Sequence, residues 1–156
     1  MSREMQRLRA EHAALVTLSR IILDMTDAPY PPASDDLVSA RGQLRDALIR
    51  HLKCEDWILY PRLMAAGDAE LIRITREFEL EMGGLAADFV AYDNKWMRER
   101  VAADWPGFCR ETKIVLDLLA MRIEREEREL YPLAENLYAS AAALGPAVRD
   151  GSIISS

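Results

Sequence analysis

From Leu8 onward, inward-type positions fall at Leu8, His12, Leu15, Ser19 and Ile22, alternating steps of four and three as one buried helix face requires. This predicts a first helix over about 3–25. The stretch Asp27-Ala28-Pro29-Tyr30-Pro31-Pro32 ends it, because clustered prolines remove donors and push their neighbours toward extended backbone. Ser34 ahead of Asp35 and Asp36 offers a capping hydroxyl and negative charge at the positive end of a helix dipole. The second helix then faces inward through Leu44, Leu48, His51, Glu55 and Ile58. Gly67-Asp68 marks a stop and a restart, and Phe78, Met82, Leu85, Phe89, Tyr92 and Trp96 predict one long third helix. Asp104 before Trp105-Pro106 reads as a cap with proline in the first turn. Val115, Leu119, Arg122, Glu126, Leu130 and Leu133 form the inward face of a fourth helix that ends near Ala143. Short loops between long helices predict an all-α, antiparallel up-down four-helix bundle over 1–144. Residues 145–156 carry helix breakers and no period, and are expected to form a mobile tail or a short docking segment.

Composition agrees with helix: 50% hydrophobic residues, with 7 Gly and 7 Pro in 156. The net charge of −6 is spread through interleaved acids and bases, which leaves no basic stripe for a phosphate backbone and argues against nucleic acid as a partner. No apolar run approaches the roughly 20 residues needed to cross a bilayer, and Met1-Ser2-Arg3-Glu4 opens a charged segment, so a cytoplasmic protein is expected. Cys54 and Cys109 fit no paired motif and are expected as reduced thiols in packing roles. Trp57, Trp96 and Trp105 are expected to pack in the core or at helix ends.

The two halves repeat. Glu11-His12-Ala13-Ala14-Leu15 corresponds to Glu81-Met82-Gly83-Gly84-Leu85. The longer run from His51 through Glu55 to Leu59-Tyr60-Pro61 corresponds to Arg122 through Glu126 to Leu130-Tyr131-Pro132. Two copies of one helical hairpin follow. A His and a Glu four residues apart lie one above the other on a helix, and a His from the neighbouring helix can complete a site for iron or zinc.

These residues resemble the hemerythrin-like family, also called the hemerythrin HHE cation-binding family, over about 5–137. The resemblance implies a bundle around two irons, with histidines from all four helices and one bridging carboxylate each from the second and fourth. Its members bind dioxygen, store or sense iron, or take part in stress responses. By position it implies that His12 and His51 are ligands of one iron and that Glu55 and Glu126 are the bridging carboxylates. For the second iron the chain has replacements: Phe78 and Met82 on the third helix and Arg122 on the fourth. With 2 histidines in total, the five of a full site are not available.

Arg122 keeps its proton at any workable pH and repels a cation. Set between Glu55 and Glu126, it is expected to bond both through a forked contact and to place a fixed positive charge where a metal would sit. The leading expectation is a metal-free, non-catalytic interaction or regulatory module that works through a protein partner or a second copy of itself. The alternative is one iron or zinc ion held by His12, His51, Glu55 and Glu126, for sensing or storing metal, oxygen or nitric oxide. A second metal position, or a nucleophile with its base, is missing, so enzyme activity is not expected.

Overall fold

The computed structural model describes residues 2–141, and among them every regular element is helical. Helix α1 (Arg3–Thr26) starts where the Ser2 hydroxyl accepts from Met5 N at 3.1 Å. After the proline loop, α2 (Asp36–Cys54) begins with Ser34 Oγ accepting from Asp36 N at 3.4 Å. It runs through a π turn (Glu55–Leu59) into α3 (Tyr60–Ala66). Asp68 caps α4 (Ala69–Met82) by accepting from Leu71 N at 2.9 Å. Then follow α5 (Leu85–Lys95) and the short α6 (Arg98–Ala103). Asp104 caps α7 (Trp105–Arg125) as its sequence predicts, accepting from Gly107 N at 3.0 Å. A second π turn (Glu126–Leu130) leads into α8 (131–141). The expected end near Ala143 and the tail 145–156 lie outside the described residues.

Two expectations need correction. The third helix is not continuous: it breaks at Gly83-Gly84, two residues of poor helix propensity in succession, and again before Met97. Its inward face survives, since Phe78, Leu85, Phe89, Tyr92 and Trp96 are all buried, with Met82 half-buried. The second correction concerns register after the π turns. Ile58 is 47% exposed while Leu59 and Tyr60 are buried, and Leu133 is half-buried while Tyr131 and Ala134 point inward. Each π turn adds a residue to one helical turn, so the face drawn at α-helical spacing slips by one position beyond it.

Pro61 and Pro132 explain why both turns widen. A proline has no amide to donate four residues back, and its ring collides with that carbonyl. The amide of the preceding tyrosine reaches one residue further instead, Tyr60 N to Glu55 O and Tyr131 N to Glu126 O. On such a turn residues five apart share a face, so each glutamate and its tyrosine point inward together.

Helix α1 packs against α2 and α7, α5 packs against the same two, and α4 lies against α3 and the second π turn. The buried side chains divide into two apolar clusters. One gathers Leu15, Leu44, Leu48, Phe89, Phe108 and Leu119; the other gathers Met5, Leu8, Leu59, Leu63, Phe78 and Leu130. Between them lies a polar layer, with His12 between Leu8 and Leu15 on α1 and Glu126 between Leu119 and Leu130 along the fourth run. No described helix is long and apolar enough to cross a membrane. Trp96 and Trp105 are buried as expected, whereas Trp57 is 71% exposed, with Lys53 Nζ 5.5 Å from its ring centre.

Phe108 is fully buried, edge-on to Trp96 at 5.7 Å and stacked on Trp105 at 5.5 Å. Phe108→Ala is expected to lower unfolding stability by about 3–5 kcal/mol through lost burial and a residual cavity. Trp57→Ala, at an exposed position, is expected to stay within about 0.5 kcal/mol. Urea denaturation of both variants checks the contrast.

Candidate metal centre

Four buried side chains from three of the helical runs meet in the polar layer: His12 from α1, His51 and Glu55 from the second run, and Glu126 from the fourth. One ligand atom from each lies within 4.8 Å of all the others. His12 Nε2 is 3.2 Å from Glu126 Oε1 and 4.0 Å from Glu55 Oε2. His51 Nε2 is 3.3 Å from Glu55 Oε1. The two imidazoles lie 4.7 Å apart between ring centres and tilt by 55°, and His12 stacks on the Tyr131 ring at 4.9 Å.

The tyrosines at the π turns cross between hairpins. Tyr131 donates to Glu55 Oε2 at 2.6 Å, and Tyr60 donates to Glu126 Oε2. Each carboxylate on one hairpin is therefore gripped by a phenol of the other. On their outer sides the imidazoles are held as well: His12 Nδ1 is 2.8 Å from Glu127 Oε2, and His51 Nδ1 is 2.7 Å from Glu11 Oε1. A carboxylate only accepts, so each Nδ1 carries the proton and each Nε2 points its remaining site into the layer.

Arg122 occupies the other side of the carboxylates and is 1% exposed. Nη2 donates to Glu55 Oε1 at 3.1 Å, to Asp56 Oδ1 at 3.1 Å and to Tyr60 Oη at 3.2 Å. Nη1 donates to the Met82 carbonyl at 3.1 Å, where α4 ends. The expected fork onto both glutamates takes a different form. Nε stands 3.5 Å from Glu126 Oε2 and makes no hydrogen bond, while Asp56, Tyr60 and a backbone carbonyl complete the set. Met82 thus contributes its carbonyl, at a helix end where acceptors are free. Phe78 lies in the apolar cluster below the layer, under the Arg125 guanidinium at 4.9 Å.

Two buried carboxylates this close cannot both ionise without compensation. Burial pushes Glu55 up, but the His51 contact and the Arg122 charge outweigh it and hold Glu55 below the usual carboxylate range. Glu126 goes the other way: burial, then the charge on Glu55, raise it well above that range despite Arg122. Burial lowers His12. It lowers His51 too, yet the contacts with Glu55 and Glu11 win and raise that imidazole. Without a metal, burial and the charge on Glu55 favour the protonated form of Glu126, and Glu55 and Glu11 favour that of His51.

The donor set fits one metal ion. Two imidazole nitrogens and two carboxylates suit iron or zinc. The four atoms already lie within 4.8 Å of one another, and metal bonds of about 2.0–2.2 Å would draw them closer together. Among the described residues His51 Nε2 makes no well-formed hydrogen bond, and the carboxylate oxygen beside it is Glu55 Oε1 at 3.3 Å. A second ion has no imidazole left to bind and meets Arg122. Cys54 stays outside this set: it accepts from Arg7 Nη2 at 3.3 Å, and burial pushes its thiol up.

Sequence reasoning placed His12, His51, Glu55, Glu126 and Arg122, and these do come together. It missed Tyr60, Tyr131, Asp56, Glu11 and Glu127 as parts of the site. The repeated Leu-Tyr-Pro string and the acids beside His12, Glu55 and Glu126 were the available signals.

Glu126 generates a pH prediction for chelator-treated protein. Its folded form keeps a proton that the unfolded form loses, so its contribution is fully present below the ordinary glutamate range and is lost as pH rises. Glu126→Gln copies the protonated acid and removes this dependence. The variant is expected to gain stability relative to the unaltered protein between pH 5 and pH 8, and thermal melts across that range check the sign.

A family model described as the hemerythrin HHE cation binding domain matches residues 4–134. No curated protein and no solved structure matches the chain significantly. The match spans most of the sequence and contains all four converging side chains together with both π-turn tyrosines. On that extent, and with the buried His and Glu cluster at its centre, the chain belongs to the hemerythrin HHE cation-binding family.

Proposed function

We propose that this domain is a non-catalytic, single-metal member of its family. It binds one iron or zinc ion through His12, His51, Glu55 and Glu126, for sensing or storing metal, oxygen or nitric oxide. The four helical runs are read as an antiparallel up-down bundle of two hairpins, with Arg122 as a built-in cation where a second ion would stand. Free Cys54 and Cys109 favour a reducing, cytoplasmic setting.

One observation carries the reading. Two imidazoles, each tied through Nδ1 to an outer carboxylate, aim Nε2 at two buried carboxylates, and the four ligand atoms lie within 4.8 Å of one another. Acceptors that converge in a dry layer call for a cation. One divalent ion would bring positive charge to the two buried carboxylates. When bound, the metal would act as a Lewis acid or redox centre. The protein's part is to fix the ligands, exclude water and hold Arg122 on the far side.

A second reading keeps the domain metal-free, as an interaction or regulatory module with a protein partner or a second copy. Its support is the number of bonds Arg122 makes within the layer, to Glu55, Asp56, Tyr60 and the Met82 carbonyl.

Metal analysis by mass spectrometry, on protein purified from cells grown with iron and zinc, separates the two. One ion per chain is expected, with a lowered melting temperature after chelation, since ligand bound only to the folded state stabilises it by mass action. His12→Ala and His51→Ala are each expected to abolish the bound metal. Metal-free wild-type protein from such cells would leave the second reading standing alone.

A further inference from the structure

The hairpin repeat has a second layer. Glu11 and Glu81 occupy equivalent positions, each one residue before the helix-face position held by His12 in one copy and Met82 in the other. Asp56 and Glu127 are likewise equivalent, each directly after a buried glutamate. All four outer positions are acidic, although only the first copy keeps its histidines.

What these acids touch divides by copy. Glu11 holds His51 Nδ1 at 2.7 Å and Glu127 holds His12 Nδ1 at 2.8 Å. Where the second copy has no histidine, their counterparts hold arginines instead. Asp56 accepts from Arg122 Nη2 at 3.1 Å, and Glu81 accepts from Arg125 Nη1. The two histidine-holding acids are themselves backed by cations, Arg7 Nε 3.7 Å from Glu11 and Arg9 Nη1 3.5 Å from Glu127. Two relays of the same order result, Arg7 to Glu11 to His51 and Arg9 to Glu127 to His12. They run from solvent-touching side chains to the buried layer and cross between helices. The acid beside His12 holds His51, and the acid beside Glu126 holds His12.

We propose that Glu11 and Glu127 are the positioning residues of the centre. Each locks one imidazole as the Nδ1–H tautomer, so that Nε2 presents the lone pair a metal takes. Glu81 and Asp56 are the same device, turned over to the arginines of the copy that has no histidines. This inference rests on the single-metal reading. The physical basis is that an acceptor on one ring nitrogen fixes the tautomer, restrains ring rotation and makes the other nitrogen a better donor to metal.

The test uses zinc and the full chain. Zinc affinity is measured by chelator competition for wild type, Glu11→Ala, Glu127→Ala, Glu11→Gln, Glu127→Gln and, as control, Glu81→Ala. The two alanine variants at 11 and 127 are expected to bind about 10–100-fold more weakly. The glutamine variants, whose amide oxygen still accepts from Nδ1–H, recover part of the loss, and Glu81→Ala binds as wild type does. Because the chain has 2 histidines, ring-¹⁵N spectra resolve each imidazole. Glu127→Ala is expected to shift the His12 ring nitrogens and Glu11→Ala those of His51, each sparing the other. Unchanged affinity with unchanged ring shifts overturns the positioning role while the single-metal reading stands. Wild-type protein that takes up no zinc or iron overturns both.

Discussion

Two carboxylates, Glu55 and Glu126, sit fully buried within a few ångströms of each other, and the rest of the molecule is arranged around that fact. Like charges in a dry interior repel strongly, and each alone carries a large desolvation cost. The layer therefore needs positive charge, from protons, from Arg122 or from a metal. The apolar clusters on either side keep water out, and so strengthen every interaction within it. The crossed phenols of Tyr60 and Tyr131 supply hydrogen bonds without changing the charge. Arg122 supplies one positive charge permanently.

That single cation makes the centre lopsided. On the His12 and His51 side, two imidazoles and two carboxylates converge, and these residues would hold a metal ion. On the Arg122 side the carboxylates already meet a charge that cannot leave. Around the glutamate pair, acids back imidazoles on one side and arginines on the other. The imidazole side has a donor set suited to one ion, which is why the proposed role concerns binding and not two-metal chemistry.

The fold was largely legible in the sequence because its signals are local. Steps of three and four among Leu8, His12, Leu15 and Ile22 describe one helix face regardless of what it meets. Asp104-Trp105-Pro106 caps a helix with its own side chain. The break at Gly83-Gly84 was missed because periodicity continues across it: the inward residues on both sides still face the same neighbours, although the helix does not. The slip at Ile58 and Leu133 has a local cause in Pro61 and Pro132, but its consequence appears only when the tyrosines beyond the turn reach across to the opposite hairpin.

For the site, the sequence by itself determined which groups share a face: His51 with Glu55, Arg122 with Glu126, and His12 alone on its helix. Helical geometry enforces those pairings. Which atoms meet was decided only by the packing of the helices. Arg122 finds Asp56 and the Met82 carbonyl, His12 finds Glu127, and His51 finds Glu11, all across helix boundaries. Such contacts depend on rotation and axial offset between helices, which no single helix encodes. They also decide where each proton rests, because a buried group's charge is set by the neighbours that surround it.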